Sequence, residues 1–226
     1  MDKLLNHGLL RLVDSMGSDL SISRNARVSY DAEWRAGEDE GSDKRLINYL
    51  YKNGHNTPFE SVTVTFEVKA PIFVFRQWHR HRTQSYNELS ARYKELPEEF
   101  YVPELDQITT QSIDNKQMRT DKIHPHALQI QRSITSSNEK SFSHYHALIK
   151  DGCPRELARS VLPVGTYSHM FATANLHNWF NFLRERLHSH AQYEIRVYAE
   201  AIAEELRIIA PIAVDAFFNN LENKNG

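Results

Sequence analysis

The chain has 226 residues, of which 40% are hydrophobic and 25% charged, and its formal net charge is −2. This length suits one domain with a substantial core, and we expect a single domain over residues 1–226. The balanced charge disfavours a nucleic-acid-binding or membrane-surface protein, because such proteins usually carry a basic footprint over the whole domain. No run of 18 apolar residues occurs, and the first residues lack a signal-peptide pattern. The single cysteine, Cys153, cannot form an intramolecular disulfide, so we expect a cytoplasmic protein.

The first third of the chain is predicted to contain two strands and three helices. Residues 8–15 are typical of a strand, and caps and apolar spacing predict helices over 18–28 and 42–54. Residues 62–69 alternate apolar and polar side chains with a period of two, which predicts a half-buried strand. Proline is favoured at the first position of a helix, so Pro71 is predicted to open a helix that runs through 72–81.

The rest of the chain is predicted to begin with an irregular segment and then to be mostly helical. Residues 105–138 are polar and show no sustained period, which indicates an irregular or mobile insertion. Helices are expected over 140–152 and 154–162, and apolar spacings of three and four predict an amphipathic helix over 195–209. None of the eight glycines forms a dinucleotide- or phosphate-binding loop pattern, which disfavours a doubly wound nucleotide-binding fold.

The most distinctive segment of the sequence is RHRTQSYNELSARY, from Arg80 to Tyr93. It combines three arginines and two serines with His81, Asn87 and Glu88, and it has almost no aliphatic side chains. Guanidinium groups bind phosphates and carboxylates through paired hydrogen bonds, and hydroxyls and amides complete such pockets. A solvated basic face is the alternative, but such faces usually alternate in sign and use lysine as readily as arginine. The segment therefore predicts a binding site for a small anionic ligand.

The spacing of Arg80, His81, Arg82 and Ser90 resembles the signature of the flavin-dependent thymidylate synthases. Other segments resemble the same family in the same order along the chain. These are GHNTPFE at 54–60, KAPIFVFRQW at 69–78, ARSVLP at 158–163 and ATANLHNWFNFLRERLHSHAQYEI at 172–195. Together the matches span most of the chain outside the polar segment.

The resemblance implies a fold and a reaction. The fold would be α+β, with an antiparallel sheet flanked by helices. The enzyme would methylate dUMP to dTMP, with methylenetetrahydrofolate as one-carbon donor and NADPH as reductant through FAD, and it would release tetrahydrofolate. Active sites shared between subunits require a closed oligomer, which in this family is a homotetramer.

The resemblance also implies roles for individual residues. Arg186 would be catalytic, because a cation beside the uracil ring favours ionisation of a ring nitrogen in a dry site. His177 stands where relatives commonly carry arginine. The residues implied to bind FAD are Ser29, His55, Thr57, Arg80, His81, Arg82, Glu88, Asn175, His177 and Asn181. The residues implied to bind the nucleotide substrate are Gln77, Trp78, His79, Arg80, Glu88, Leu89, Ser90, Ala91, Arg92, Arg159 and Arg186.

Thiol and metal chemistry are the alternatives within enzyme function. Cys153 precedes a predicted helix start, which can activate a thiol, but no partner base is evident and we assign it no catalytic role. Zinc is suggested by His79, His81, His188 and His190, yet carboxylate or thiolate companions at defined spacing are missing. We therefore predict no metal site.

A different class of function is an RNA-binding module. It would use Arg80, Arg82 and Arg92 for phosphates, with Tyr86 and Tyr93 as stacking surfaces. Colour separates the two hypotheses, since the purified flavoenzyme would be yellow and the binding module colourless.

Overall fold

The structure is a computed structural model that describes residues 2–225, with the side chains of residues 4–221. The chain forms two compact units. Unit 1 comprises the chain up to Leu9, Val68–Arg80 and Asn87–Met170. Unit 2 comprises Leu10–Glu67, His81–Tyr86 and the chain from Phe171 onward.

The described strands form two sheets. A five-stranded sheet has the order β1-β2-β3-β7-β4, and β5 pairs with β6 in an antiparallel hairpin. The expected α+β fold with antiparallel sheets and flanking helices is confirmed. The strands are β1 (Asp2–Leu4), β2 (Gly8–Met16), β3 (Thr63–Pro71), β4 (Ser85–Glu88), β5 (Thr109–Gln111), β6 (Arg119–Ile123) and β7 (Tyr167–Asn175).

Helices make up most of the remaining described residues. None of them is long and apolar enough to cross a membrane. The α-helices are α1 (Asp19–Arg27), α2 (Glu40–Lys52), α3 (Ile72–Trp78), α4 (Ala127–Lys150), α5 (Arg155–Ala158), α6 (Leu176–Arg186), α7 (Tyr193–Ile209) and α8 (Pro211–Asn225). Short 3-10 helices cover Val28–Tyr30, Glu33–Arg35, Thr57–Ser61, Leu105–Gln107 and Arg159–Val161.

Strongly periodic segments fold as predicted. β2, β3, α1 and α7 occupy the predicted ranges to within a few residues. The helix predicted over 42–54 begins earlier, at Glu40. Its start is set by Asp39, whose carboxylate accepts a hydrogen bond from the Ser42 amide at 3.2 Å and so caps the first turn.

The helix predicted over 72–81 is shorter than expected. α3 ends at Trp78, and Pro71 occupies the position before its first residue, Ile72. After α3 the chain continues as a turn, in which the Arg80 amide donates to the Gln77 carbonyl at 3.3 Å and the Tyr86 hydroxyl donates to the His81 carbonyl at 2.8 Å. The chain then enters β4, a strand that sequence analysis does not predict.

The prediction of an irregular insertion over 105–138 is wrong. This segment contains β5, β6 and the first half of α4, which begins at Ala127. Polar side chains in α4 hydrogen-bond to its own backbone, as Thr135 Oγ1 does to the Gln131 carbonyl at 3.0 Å and Asn138 Nδ2 to the Ile134 carbonyl at 2.7 Å. Such bonds keep polar side chains compatible with a helix without stabilising it, and α4 is held by the residues that it buries, among them Phe142 and Tyr145.

Each unit has its own aromatic packing. In unit 1, Phe142, Tyr145 and Ala158 are buried, and Cys153 and Leu162 pack against them. This cluster fixes the segment that carries Arg159.

In unit 2, packing fixes one face of α6. Phe180 stacks on Phe217 with ring centroids 4.9 Å apart, and Tyr51 meets Phe180 edge-on at 5.6 Å. The Trp179 indole donates a hydrogen bond to the Val64 carbonyl at 3.1 Å. The polar side chains of α6 therefore lie on a helix whose rotation is set by its buried aromatic residues.

Candidate functional site

Unit 1 contains a cavity of about 150 Å³. Its wall is mostly aliphatic, with one carboxylate, one buried hydroxyl and one guanidinium group. The lining residues are Ile72, Glu88, Leu89, Ala91, Leu96, Arg159, Leu162 and Ser168.

The cavity brings together several predicted substrate-binding residues. Glu88, Leu89, Ala91 and Arg159 all line it, although Arg159 is about 70 residues from the others in sequence. Sequence analysis missed Ser168. The signal in the sequence is that Ser168 shares alternate positions of β7 with the apolar residues Met170, Ala172 and Ala174.

The carboxylate of Glu88 is held by a neighbouring strand. The Ser168 hydroxyl donates to Glu88 Oε1 at 2.7 Å, and His79 Nε2 lies 4.0 Å from Glu88 Oε2. The Leu89 amide donates to the His169 carbonyl at 2.8 Å, which joins the end of β4 to β7 beside the cavity. A carboxylate is an acceptor only, so this group can bind a ligand hydroxyl or N–H.

Two exposed arginines lie near Glu156. Arg92 Nε is 3.6 Å from Glu156 Oε2, and Arg159 Nε donates to the Glu156 carbonyl at 3.4 Å. The Ser90 hydroxyl accepts a hydrogen bond from the Arg92 amide at 3.3 Å. Exposed ion pairs are weak, so an incoming anion can compete for these guanidinium groups.

The other predicted substrate residues in unit 1 differ in exposure. Gln77 and His79 are half-buried and Arg80 is exposed. Trp78 is fully buried and packs against Phe75, with ring centroids 6.5 Å apart. A substrate contact by Trp78 would therefore have to come from its backbone.

Unit 2 holds a second polar cluster, centred on His81 and Arg186. Arg186 Nε donates a hydrogen bond to His81 Nε2 at 2.9 Å, across 105 residues of sequence. The His81 ring meets the Phe182 ring edge-on at 4.9 Å. Because Nε2 accepts this bond, the neutral imidazole carries its proton on Nδ1.

Burial changes the protonation behaviour of this pair. Burial, together with the neighbouring Arg186 cation, lowers the pKa of His81 to about 4. Burial also lowers the pKa of Arg186, an effect that the nearby Glu185 opposes. A neutral imidazole therefore faces a cation near neutral pH.

A second group of α6 side chains lies one turn away. Asn181 Nδ2 is 3.2 Å from His177 Nε2, and Asn181 Oδ1 accepts a hydrogen bond from Arg184 at 2.9 Å. Arg184 also donates to the Tyr51 hydroxyl at 3.2 Å, and sequence analysis missed both of these residues. Burial, with a further contribution from Arg184, lowers the pKa of His177, while Glu60 opposes the shift.

Asn175 has a structural role at the start of α6. Its side-chain oxygen accepts a hydrogen bond from the Asn178 amide at 2.9 Å and so caps the helix. Asn178 Nδ2 donates to the Thr83 carbonyl at 3.3 Å, which ties the segment after His81 to α6.

Four predicted cofactor residues in unit 2 lie on exposed segments: Ser29, His55, Thr57 and Arg82. His55 stacks on Tyr49, with ring centroids 6.0 Å apart. Within the described residues, the structure shows no hydrogen bond from these four side chains to the His81–Arg186 pair.

The alternative chemistries also have defined places in the structure. Cys153 is half-buried against the unit 1 aromatic cluster. His188 and His190 are exposed with rings 4.7 Å apart, and no three His, Cys, Asp or Glu residues converge on a metal position in the part of the chain that the structure describes. Of the two tyrosines in the RNA-binding alternative, Tyr86 is half-buried and burial raises its pKa to about 12, whereas Tyr93 is exposed.

Comparison with known proteins gives one consistent family. Residues 11–212 match the family model described as "Thymidylate synthase complementing protein". A flavin-dependent thymidylate synthase from Treponema denticola is 44% identical over 223 residues, covering 98% of this chain and 83% of that protein. Another from Thermotoga neapolitana is 44% identical, with coverage of 95% and 92%. A crystal structure of the UMP/dUMP methylase PolB from Streptomyces cacaoi bound with 5-Br dUMP has a TM-score of 0.87 and 37% identity, covering 96% of this chain and 97% of that one.

Proposed function

Since this chain belongs to the flavin-dependent thymidylate synthase family, whose members are methyltransferases, we propose that it methylates dUMP to dTMP. The one-carbon donor would be methylenetetrahydrofolate, which leaves as tetrahydrofolate, and NADPH would supply the reducing equivalents through FAD. The observation that carries the proposal is the unit 1 cavity, where Glu88, Ser168 and Arg159 combine an acceptor, a hydroxyl and a cation.

The cavity has the groups that a nucleoside monophosphate needs. Arg159 and Arg92 both contact Glu156, and both would bind the phosphate through charge-assisted hydrogen bonds. Glu88 would accept a hydrogen bond from the sugar. The aliphatic wall supplied by Ile72 and Leu96 would exclude water from the rest of the nucleotide.

The unit 2 cluster fits a flavin ring by the chemistry of its groups. An isoalloxazine ring presents carbonyl acceptors and ring nitrogens along one edge, and His81, His177 and Asn181 are half-buried imidazole and amide groups that can bind such an edge. Ser29, His55, Thr57, Arg82 and Asn175, which also belong to unit 2, would complete this part of the FAD site. FAD, when bound, would supply reversible hydride chemistry, which amino-acid side chains lack.

Arg186 would act on the pyrimidine during the chemical step. Its Nε–H is held by the neutral His81, so the guanidinium group has a fixed orientation. A half-buried, oriented cation stabilises negative charge that develops on the uracil ring more than it stabilises the neutral ring. Arg186 would therefore lower the barrier more than it tightens substrate binding.

The complete active site would form between subunits of a homotetramer in the cytoplasm. The nucleotide cavity of one subunit would be completed by His81 and Arg186 of another, as closed oligomers with shared sites allow. Sedimentation at micromolar concentration tests this part directly, because a monomer would overturn it.

Product formation tests the proposed activity. Purified protein is incubated without oxygen with dUMP, methylenetetrahydrofolate and NADPH, and dTMP is measured by chromatography. We expect dTMP and tetrahydrofolate in equal amounts, and no dTMP when any one reactant is omitted. Formation of dihydrofolate in place of tetrahydrofolate, or a colourless protein that makes no dTMP, would contradict the proposal.

A further inference from the structure

Ser168 is a buried polar residue in an otherwise apolar row. In β7 the side chains of Ser168, Met170, Ala172 and Ala174 occupy alternating positions, and each is less than a tenth exposed. A buried hydroxyl is unfavourable unless it is hydrogen-bonded, and Ser168 is bonded to Glu88 Oε1 at 2.7 Å. The buried Ser168 side chain has a fixed position, and its hydrogen bond holds the Glu88 side chain, which is 34% exposed.

The hydrogen bond affects which oxygen of Glu88 can serve a ligand. A hydroxyl bonded to a carboxylate acts as donor, so Oε1 is occupied from the β7 side. Oε2 is 4.0 Å from His79 Nε2, beyond hydrogen-bond distance for that pair. Because Glu88 and Ser168 both line the cavity, their hydrogen bond holds the carboxylate at the cavity wall, and its second oxygen remains an acceptor for a ligand.

We propose that Ser168 is a positioning residue for the nucleotide site: its hydroxyl holds the Glu88 carboxylate so that the carboxylate accepts a hydrogen bond from the 3′-hydroxyl of the sugar. This inference rests on the proposed function, because it takes a pyrimidine nucleotide as the ligand. The serine itself does not contact the reacting atoms. Without it, Glu88 loses the bond that orients it and adopts other rotamers in solvent, which lowers affinity for the sugar.

The test compares variants that differ in one hydroxyl. Ser168→Ala is expected to bind dUMP about tenfold more weakly in calorimetric titration, as expected for loss of a hydrogen bond to a charged group. Ser168→Thr keeps the hydroxyl and is expected to restore most of the affinity, whereas Ser168→Val has the shape of threonine without it and should behave like alanine. For turnover, the alanine variant should show a raised KM for dUMP with kcat nearly unchanged.

A shortened ligand isolates the proposed contact. With 2′,3′-dideoxyuridine monophosphate, which lacks the 3′-hydroxyl, the parent and Ser168→Ala should bind with nearly equal affinity. Glu88→Ala should likewise make the serine substitution nearly silent, because it removes the acceptor of the one hydrogen bond through which the two residues act.

Thr166→Val is the matched control. Thr166 lies two residues earlier in the chain, is fully buried, and its hydroxyl has no hydrogen-bond partner within the described residues. The valine variant should bind dUMP like the parent.

Several outcomes would overturn the inference. Unchanged dUMP affinity in Ser168→Ala, equal affinities for the threonine and valine variants, or an undiminished serine effect with the dideoxy ligand would each do so. If the parent itself binds no pyrimidine nucleotide, the proposed function falls and the inference falls with it.

Discussion

The proposed nucleotide cavity of unit 1 and the polar cluster of unit 2 centred on His81 and Arg186 place similar polar groups in different environments. In unit 1 the cations Arg92 and Arg159 are exposed. In unit 2 His81 and Arg186 are half-buried, and burial lowers the pKa of both. Exposed cations are mobile and suit ligand capture, whereas a fixed, partly desolvated cation suits stabilisation of charge during a reaction. We therefore propose that the first region mainly binds the substrate and that the second mainly serves the chemical step.

Arg186→Ala should have the largest effect, because it removes the cation of the unit 2 cluster. We expect turnover to fall by about 100-fold or more, as for loss of a preorganised charge-stabilising group. Flavin reduction by NADPH should continue, because that step needs no charge on the pyrimidine. Stopped-flow measurement follows flavin reduction and reoxidation separately, with dUMP and methylenetetrahydrofolate present.

Two controls accompany this prediction. Arg186→Lys keeps the cation and should recover part of the loss, whereas Arg196→Ala on α7 removes an arginine paired with Glu200 and should be silent. Should Arg186→Ala abolish reduction while reoxidation keeps its parent rate, Arg186 belongs to the flavin or NADPH site.

Replacement of Arg92 or Arg159 by alanine should remove one of the two exposed cations of the unit 1 site. Either change should weaken dUMP binding by about 1.5–3 kcal/mol, the usual range for hydrogen bonds to charged groups. Flavin retention should change little. Calorimetric titration measures the affinity, with Arg155→Ala as the control, since Arg155 is an exposed neighbour that pairs with Glu95 at 3.3 Å. Unchanged affinity in both variants would remove these arginines from the nucleotide site.

His81→Gln should change how the stability of the folded protein depends on pH. The pKa of His81 is lowered from 6.5 to about 4, so the unfolded chain binds more protons than the folded protein between those values. The parent should therefore lose stability as the pH falls from 6.5 toward 4, and it regains this contribution above pH 6.5. Glutamine can accept the Arg186 hydrogen bond but does not titrate in this range.

Thermal unfolding at pH 7 and pH 5 provides the measurement for His81→Gln, with flavin content checked from visible absorbance. The melting temperature of the parent should drop more than that of the variant. Equal drops in the two proteins would show that His81 is not held neutral by burial.

Cys153→Ser should have the smallest effect. Cys153 packs beside the unit 1 aromatic cluster, outside both polar regions. Most of the dTMP formation should remain, and any loss should follow thermal stability. A folded variant that makes no product would bring back thiolate catalysis.

The sequence predicts the elements in which the spacing of apolar residues is regular. β3 buries alternating residues as predicted, and α7 follows its apolar spacing. β7 was missed because its buried positions include Ala172 and Ala174, and alanine has low strand propensity.

Local pattern also failed where the polar composition of a segment hides its structure. The polar first half of α4 shows no apolar period, yet it continues into turns that bury Phe142 and Tyr145, and α3 ends at Trp78 although sequence extends it to His81.

The candidate site shows the same division. The segment from Arg80 to Tyr93 marks itself by composition, and family resemblance supplies Arg159 and Arg186. Tertiary pairs such as Ser168 with Glu88 and His81 with Arg186 join residues 80 and 105 positions apart, so no local pattern predicts them. Their geometry comes from sheet pairing and from the packed face of α6.

A single-turnover experiment tests the central claim, that this chain couples flavin reduction to pyrimidine methylation. The purified protein is reduced by NADPH without oxygen, freed of excess NADPH, and mixed with dUMP and methylenetetrahydrofolate while its visible spectrum is recorded. We expect a yellow protein that bleaches with NADPH and recovers its colour only when both substrates are added, with one dTMP formed per flavin. A colourless protein, or colour that returns without dTMP, would contradict it.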